Sequence, residues 1–204
     1  MQRAPRIAAV AFAIGMACVP AAAQNDGAQS GAAQTFLTAN QFARALEEFQ
    51  KIPDSAALPD RLAKHTGSAL SLVNMGRASE AATQIELARP IADQIGTDLA
   101  RIRFLNAEGV YLDALRRGGG LPQLLQAVAI AERAGIARAL PRLYGSVANS
   151  YQRLEDYERA TYYNQKEFEL IEQPTAINRF EYHISRGIAF FEMYERDAAE
   201  QEFA

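Results

Sequence analysis

The sequence predicts an all-α fold of stacked antiparallel helix hairpins, and three observations predict it. Apolar residues recur at i, i+3, i+4 and i+7, breakers cut the chain at short intervals, and a small residue returns every 39 to 40 positions. No run alternates apolar and polar residues between hairpin turns, so strands have no place in the reading.

The first element in chain order stands outside that fold. Arg3 and Arg6 precede an apolar run from Ile7 to Met16, and Ala21-Ala22-Ala23 sets small residues before Gln24. A basic start, a short apolar run and a small-residue site form the layout of a bacterial secretory signal peptide, expected over 1–23 with cleavage after Ala23. A retained anchor would need about 20 apolar residues. Lipidation of Cys18 is the competing reading, although Gly15 stands where a lipoprotein signal carries Leu. The mature chain would be periplasmic or secreted. It would have 181 of the 204 residues and no cysteine, hence no disulfide, thiolate nucleophile or Cys-based metal site. Loss of the two arginines takes the net charge from −3 to −5, a mild acidity without the basic stripe that nucleic acid requires. No second apolar run reaches membrane-spanning length, so the mature product is expected to be soluble.

Residues 24–34 (QNDGAQSGAAQ) are small and polar and read as a flexible linker. From Thr35 the pattern is helical. Phe42, Ala45, Leu46, Phe49 and Ile52 lie on one helix face, as do Ala78, Ala81, Ala82, Ile85 and Ala88, and again Ile102, Leu105, Gly109 and Leu112. Breakers separate these segments: Pro53, Pro59, Gly76, Gly96, Gly118-Gly119-Gly120 with Pro122, Gly135 and Pro174. Short breaks between helices mean antiparallel neighbours.

The hairpins repeat. Ala69, Gly109, Ala148 and Gly187 fall mid-way along the first helix of each pair, spaced 40, 39 and 39, and Leu72, Leu112, Tyr151 and Phe190 follow at the same spacing. Ala45, Ala81, Ala127, Ala160 and Ala199 mark the second helices at 36, 46, 33 and 39, the uneven pair reflecting an insertion around Gly118–Gly120. Small residues allow two helices to approach within about 8–10 Å, and a hairpin that cannot bury its apolar face alone must stack on others. One repeat domain over 35–204 is expected, with four to five repeats and the last incomplete.

The segment Tyr144-Gly-Ser-Val147-Ala148-Asn-Ser-Tyr151-Gln-Arg-Leu-Glu-Asp-Tyr157-Glu-Arg-Ala160 resembles the W-x2-L-G-x2-Y and Y-x2-A signature of the tetratricopeptide repeat family. Asn40-Gln-Phe42-Ala-Arg-Ala45-Leu46-Glu-Glu-Phe49 is similar to the start of that family's second helix, and Met75-Gly76-Arg77-Ala-Ser-Glu-Ala81 to its turn. The longer period resembles the branch found in bacterial sensor proteins, and Glu108 departs from the family's Leu. The resemblance implies a right-handed superhelical solenoid whose first helices line a concave groove. On this chain it points to Asn74 in one unit, Arg103, Asn106 and Asp113 in the next, and Arg142, Asn149, Gln152 and Arg153 in a third as the residues that would hold a peptide's carbonyls or acidic side chains. The family's lysine carboxylate clamp has no match, since Gly145 stands at one of its places.

Chemistry of other kinds has no foothold. No H-E-x-x-H, paired-Cys spacing, EF-hand loop or G-x-S-x-G occurs, so neither a metal, a cofactor nor an enzymatic activity is expected. Arg116-Arg117-Gly118-Gly119-Gly120 follows a helix and precedes Leu121-Pro122, which makes it a connector rather than a phosphate loop. Glu47-Glu48, Glu155-Asp156 and Glu200 with Glu202 are solvated charges, and His65 and His183 occupy the repeat's first large aromatic position as packing residues. The expectation is a non-catalytic scaffold that binds a protein or peptide. The alternative is the extracytoplasmic sensory region of a membrane signalling protein whose diguanylate cyclase or histidine kinase domain is missing. A last helix ending near Phe203 also predicts self-association through the C-terminal hairpin.

Overall fold

The computed structural model describes residues 30–172 and 174–203. The signal peptide over 1–23, Cys18 within it, and residues 24–29 lie outside the described residues. Among those described the fold is all-α, ten helices packed as sequential antiparallel pairs. The pairs are α1 (Gly31–Thr38) with α2 (Phe42–Gln50), α3 (Leu58–Asn74) with α4 (Ala78–Ile95), and α5 (Asp98–Leu115) with α6 (Leu121–Arg133). A 3₁₀ turn (Ala137–Ala139) leads to α7 (Leu140–Arg153) with α8 (Tyr157–Glu169), and then to α9 (Ala176–Glu192) with α10 (Arg196–Phe203).

The helix starts follow from local chemistry. Pro59, Pro122 and Pro141 sit in the first turns of α3, α6 and α7, where a backbone N–H has no intrahelical partner to lose. Thr175 and Asn178 close a capping box at the start of α9. Pro90 breaks no helix: α4 runs through it on an exposed face.

One turn recurs. Asn40, Gly76, Glu155 and Tyr194, each five residues before the small residue of a second helix, all adopt the left-handed conformation, with φ of 58°, 74°, 63° and 63°. Around them the same bond closes the first helix: Gln41 N–H to Phe36 C=O at 2.9 Å, Arg77 to Leu72 at 2.8 Å, Asp156 to Tyr151 at 3.0 Å and Glu195 to Phe190 at 2.9 Å. This is the six-to-one bond of a Schellman ending, which turns the chain back within two residues. The pair α5/α6 departs from it because Arg116–Gly120 intervenes, with Gly118 at φ 68°.

The first of these turns corrects the linker reading. Its first helix, α1, begins at Gly31, so residues 31–34 of the supposed linker are helical. Ala33, buried against α2, is the small contact residue of that helix and Phe36 its large partner, which carries the repeat one hairpin further toward the N-terminus. A run of Ala and Gln with little apolar bulk reads as a linker, yet Ala is the best helix former.

Three apolar clusters run along the stack. The first joins α1 to α2 through Ala33, Leu37, Ala45, Phe49 and Ile52. The second spans α2 to α5, and the third α5 to α8. Helix α5 serves both of the larger clusters: Ala100, Phe104 and Ala107 face one, Ile102 and Leu105 the other. With two sides to bury, α5 spreads its apolar residues around the helix and not along a single stripe. Glu108, the departure from the repeat pattern, is answered by Arg89 of α4 at 2.7 Å, whose guanidinium also lies 5.0 Å over the Phe104 ring. Farther along, α7 and α8 close on tyrosines, Tyr163 stacking on Tyr151 at 5.7 Å and tilted against Tyr144 at 5.9 Å.

Each helix packs on its neighbours in sequence. In addition the first helices meet side by side, α3 on α5 and α5 on α7, while the second helices α2 and α4 make no comparable contact. Three first helices, α3, α5 and α7, therefore lie side by side, α3 and α5 the more closely.

Candidate functional site

The residues that the sequence assigns to a groove fall on these three helices. Asn74 closes α3 and donates its amide to the Leu70 carbonyl at 2.8 Å. Arg103 lies half-buried on α5 and is already engaged. Asn106 and Asp113, both 6% exposed, lie between helices rather than on an open surface. Asp113 and Arg153 are brought together: Arg153 Nε is 3.6 Å from Asp113 Oδ2, and Ser150 Oγ donates to Asp113 Oδ1 at 3.0 Å. That small network ties α5 to α7. The Asn106 Oδ1 is buried without a hydrogen-bond partner. Arg142, Asn149 and Gln152 remain half-exposed along α7, and Arg153 is exposed beside them.

A second site comes from residues to which the sequence reading gave no binding role. Between α2, α3 and α4 opens a cleft of about 460 Å³, floored by Arg61, Lys64, His65 and Ser68 of α3 and walled by Leu46 of α2 and Gln84 of α4. His65 is 7% exposed and its Nδ1 is 2.9 Å from Gln84 Oε1. The equivalent histidine of the last hairpin, His183, meets Glu202 at 2.6 Å with the same separation along the chain, and Tyr144 meets Tyr163 likewise. His65 is thus a packing histidine with a bonded ring nitrogen. Lys64 bonds Asp54 at 2.7 Å, and Arg77 grips Glu80 through two bonds of 2.6 Å. Those bonds hold the Asp54 and Glu80 carboxyls below their ordinary values.

The signal for this cleft was present in the repeat. Counting back from the small residue of each first helix, Lys64 stands where α5, α7 and α9 carry Phe104, Leu143 and Tyr182. His65 stands where α5 and α7 carry Leu105 and Tyr144, and Ser68 where α7 carries Val147. Of α3, α5, α7 and α9 only α3 carries a charge at the first of these places; His65 has a polar counterpart in His183, and Ser68 in Glu108 and Arg186.

Burial pushes His65 below its ordinary value of 6.5, the Lys64 and Arg61 charges acting in the same direction and the Gln84 bond and Asp54 against it. Above 6.5 both the folded and the unfolded chain hold a neutral ring. As pH falls through 6.5 the unfolded chain takes up the proton first, so folding loses stability until the depressed folded value is passed. Urea midpoints at pH 7.5 and 5.5 are expected to fall further for the parent than for His65→Gln. Equal falls would mean that the ring is not desolvated.

Among the described residues no helix is long and apolar enough to cross a membrane, and no group of three or more His, Cys, Asp or Glu is placed to hold a metal ion. No protein-family model matches the chain, and no curated protein matches it.

Proposed function

We propose that this chain is an exported, non-catalytic scaffold of tetratricopeptide-like repeats, a right-handed solenoid whose first helices hold an extended protein or peptide segment. The reading rests on one observation: α3, α5 and α7 stand side by side, with Arg142, Asn149 and Gln152 half-exposed along the last of them. The recurring small residue and left-handed turn favour a repeat register, and such arrays present long binding surfaces. Amide side chains pair with a peptide's backbone, and the guanidiniums of Arg142 and Arg153 with its acidic groups.

Selection of peptides from a random library against the full chain tests this. Selected peptides should carry acidic residues. They should lose about tenfold or more in affinity to an Arg142→Ala/Asn149→Ala/Gln152→Ala triple variant, as expected when several charge-assisted and amide bonds go at once. Glu86→Ala, on the exposed face of α4, should leave them unchanged. Peptides that lose affinity to Glu86→Ala and not to the triple variant would overturn the proposal.

A further inference from the structure

We propose that the cleft between α2, α3 and α4 is a binding site for a small amphipathic carboxylate, its head on Arg61 and its tail along Leu46, Leu72 and Leu87. This goes beyond peptide binding on α3, α5 and α7 and does not depend on it, since none of the residues that line the cleft is one proposed to hold the peptide.

Volume comes first. About 460 Å³ lies within the range of small-molecule pockets, which run from about 300 to 1,000 Å³. Charge comes second. Three cations, Arg61, Lys64 and Arg77, line the cleft with two carboxylates, Asp54 and Glu80. Each carboxylate is hydrogen-bonded to one cation, Asp54 to Lys64 and Glu80 to Arg77, and Arg61 is the positive charge left over. Its Nε is buried without a hydrogen-bond partner. Arg61 as a whole is only partly buried, and its planar guanidinium fits a carboxylate edge-on. The surplus is a single charge, which a monocarboxylate matches and a doubly charged phosphate exceeds.

Departure from the repeat comes third. Lys64 has a side chain only 16% exposed, at a place where the other first helices put Phe104, Leu143 and Tyr182. The cleft is open because this hairpin gives up apolar filling that its neighbours keep. Leu46, Leu72 and Leu87 remain as an apolar lining next to the charged floor. A cleft with one unmatched guanidinium and an aliphatic wall suits a ligand that is anionic at one end and aliphatic at the other.

A ligand-observed NMR titration of the full chain with hexanoate tests this, with 1-hexanol and inorganic phosphate as comparison probes. Hexanoate is expected to bind saturably, and hexanol and phosphate about tenfold more weakly or worse, each lacking one half of the match. Arg61→Gln should weaken hexanoate about tenfold, and Arg61→Lys by less, because it keeps the charge and loses the fork. Arg61→Gln removes the unpartnered Nε and should leave the thermal midpoint level or higher. Leu87→Asp, at an exposed position on the rim, is a second variant that should weaken hexanoate with the fold intact. No saturable hexanoate binding overturns the proposal. So does binding untouched by Arg61→Gln and Leu87→Asp, or hexanol or phosphate binding as tightly as hexanoate.

Discussion

Phe49→Ala is expected to destabilise the chain by about 3–5 kcal/mol, as removal of a fully buried aromatic side chain does. Phe49 has no exposed surface and sits at the centre of the cluster that joins α1, α2 and α3. Its ring occupies the space in which a Cβ of Gly67 on α3 would lie. The two positions are therefore one contact, and they should not behave additively. Gly67→Ala alone should cost about 1–3 kcal/mol by overpacking against the ring. In the double variant the new methyl has the vacated space, so the total should fall short of the sum of the singles. Urea unfolding of the four proteins measures this cycle. An additive result would mean that the ring and Gly67 are not in contact. Because the cluster belongs to the first hairpins, amide exchange in α1 and α2 should accelerate before exchange in α7 and α8.

Gly120→Ala is expected to cost about 3 kcal/mol, at or beyond the usual upper end for overpacking. The reason is a backbone clash and not backbone strain, for Gly120 has an ordinary φ of −97°. A Cβ there would fall on the carbonyl group of Gly109, well inside contact distance, and neither partner is a side chain that can swing aside. Gly109 is itself the small residue of α5, packed under Leu124 of α6. The insertion that spoils the even spacing of the repeat therefore brings its own glycine to restore the close approach of α5 and α6. Gly31→Ala is the comparison: a Cβ there meets nothing within 4 Å, at the start of α1. It should be neutral or stabilise by up to about 1 kcal/mol. Thermal or urea midpoints of the two variants decide the matter, and a Gly120→Ala protein as stable as Gly31→Ala would exclude the close crossing.

The hairpin order was legible because its cause is steric. Ala69, Gly109, Ala148 and Gly187 are small for one reason, helix approach, and that reason acts at one period. Three things were less legible. The first hairpin was half missed because α1 is so short of bulk that Ala33 passed as linker. The turns were found as breaks, but nothing in the letters of Glu155 or Tyr194 announces a left-handed backbone, which only the shared register with Gly76 and Asn40 explains. The proposed groove residues came from position along a repeat, which does not tell a surface position from one between two neighbouring helices. Asn106 and Asp113 are the cases in point. The cleft could have been found by asking which unit puts a charge, Lys64, where its neighbours put Phe104, Leu143 and Tyr182.

The way each helix rests on those next to it in sequence bears on how the chain acquires its shape. Contacts made between close neighbours need only short loops to close, and the entropy of closing them rises slowly with length. Among the described residues no strand waits for a distant partner. In a stacked array of the kind proposed above, any hairpin with its neighbour can serve as a starting point, and growth proceeds from there in both directions. The same locality sets the order of loss. A chain pulled from its two ends would give up α1 with α2, or α9 with α10, as separate steps, and the pairs around α5, which holds two clusters at once, would let go last.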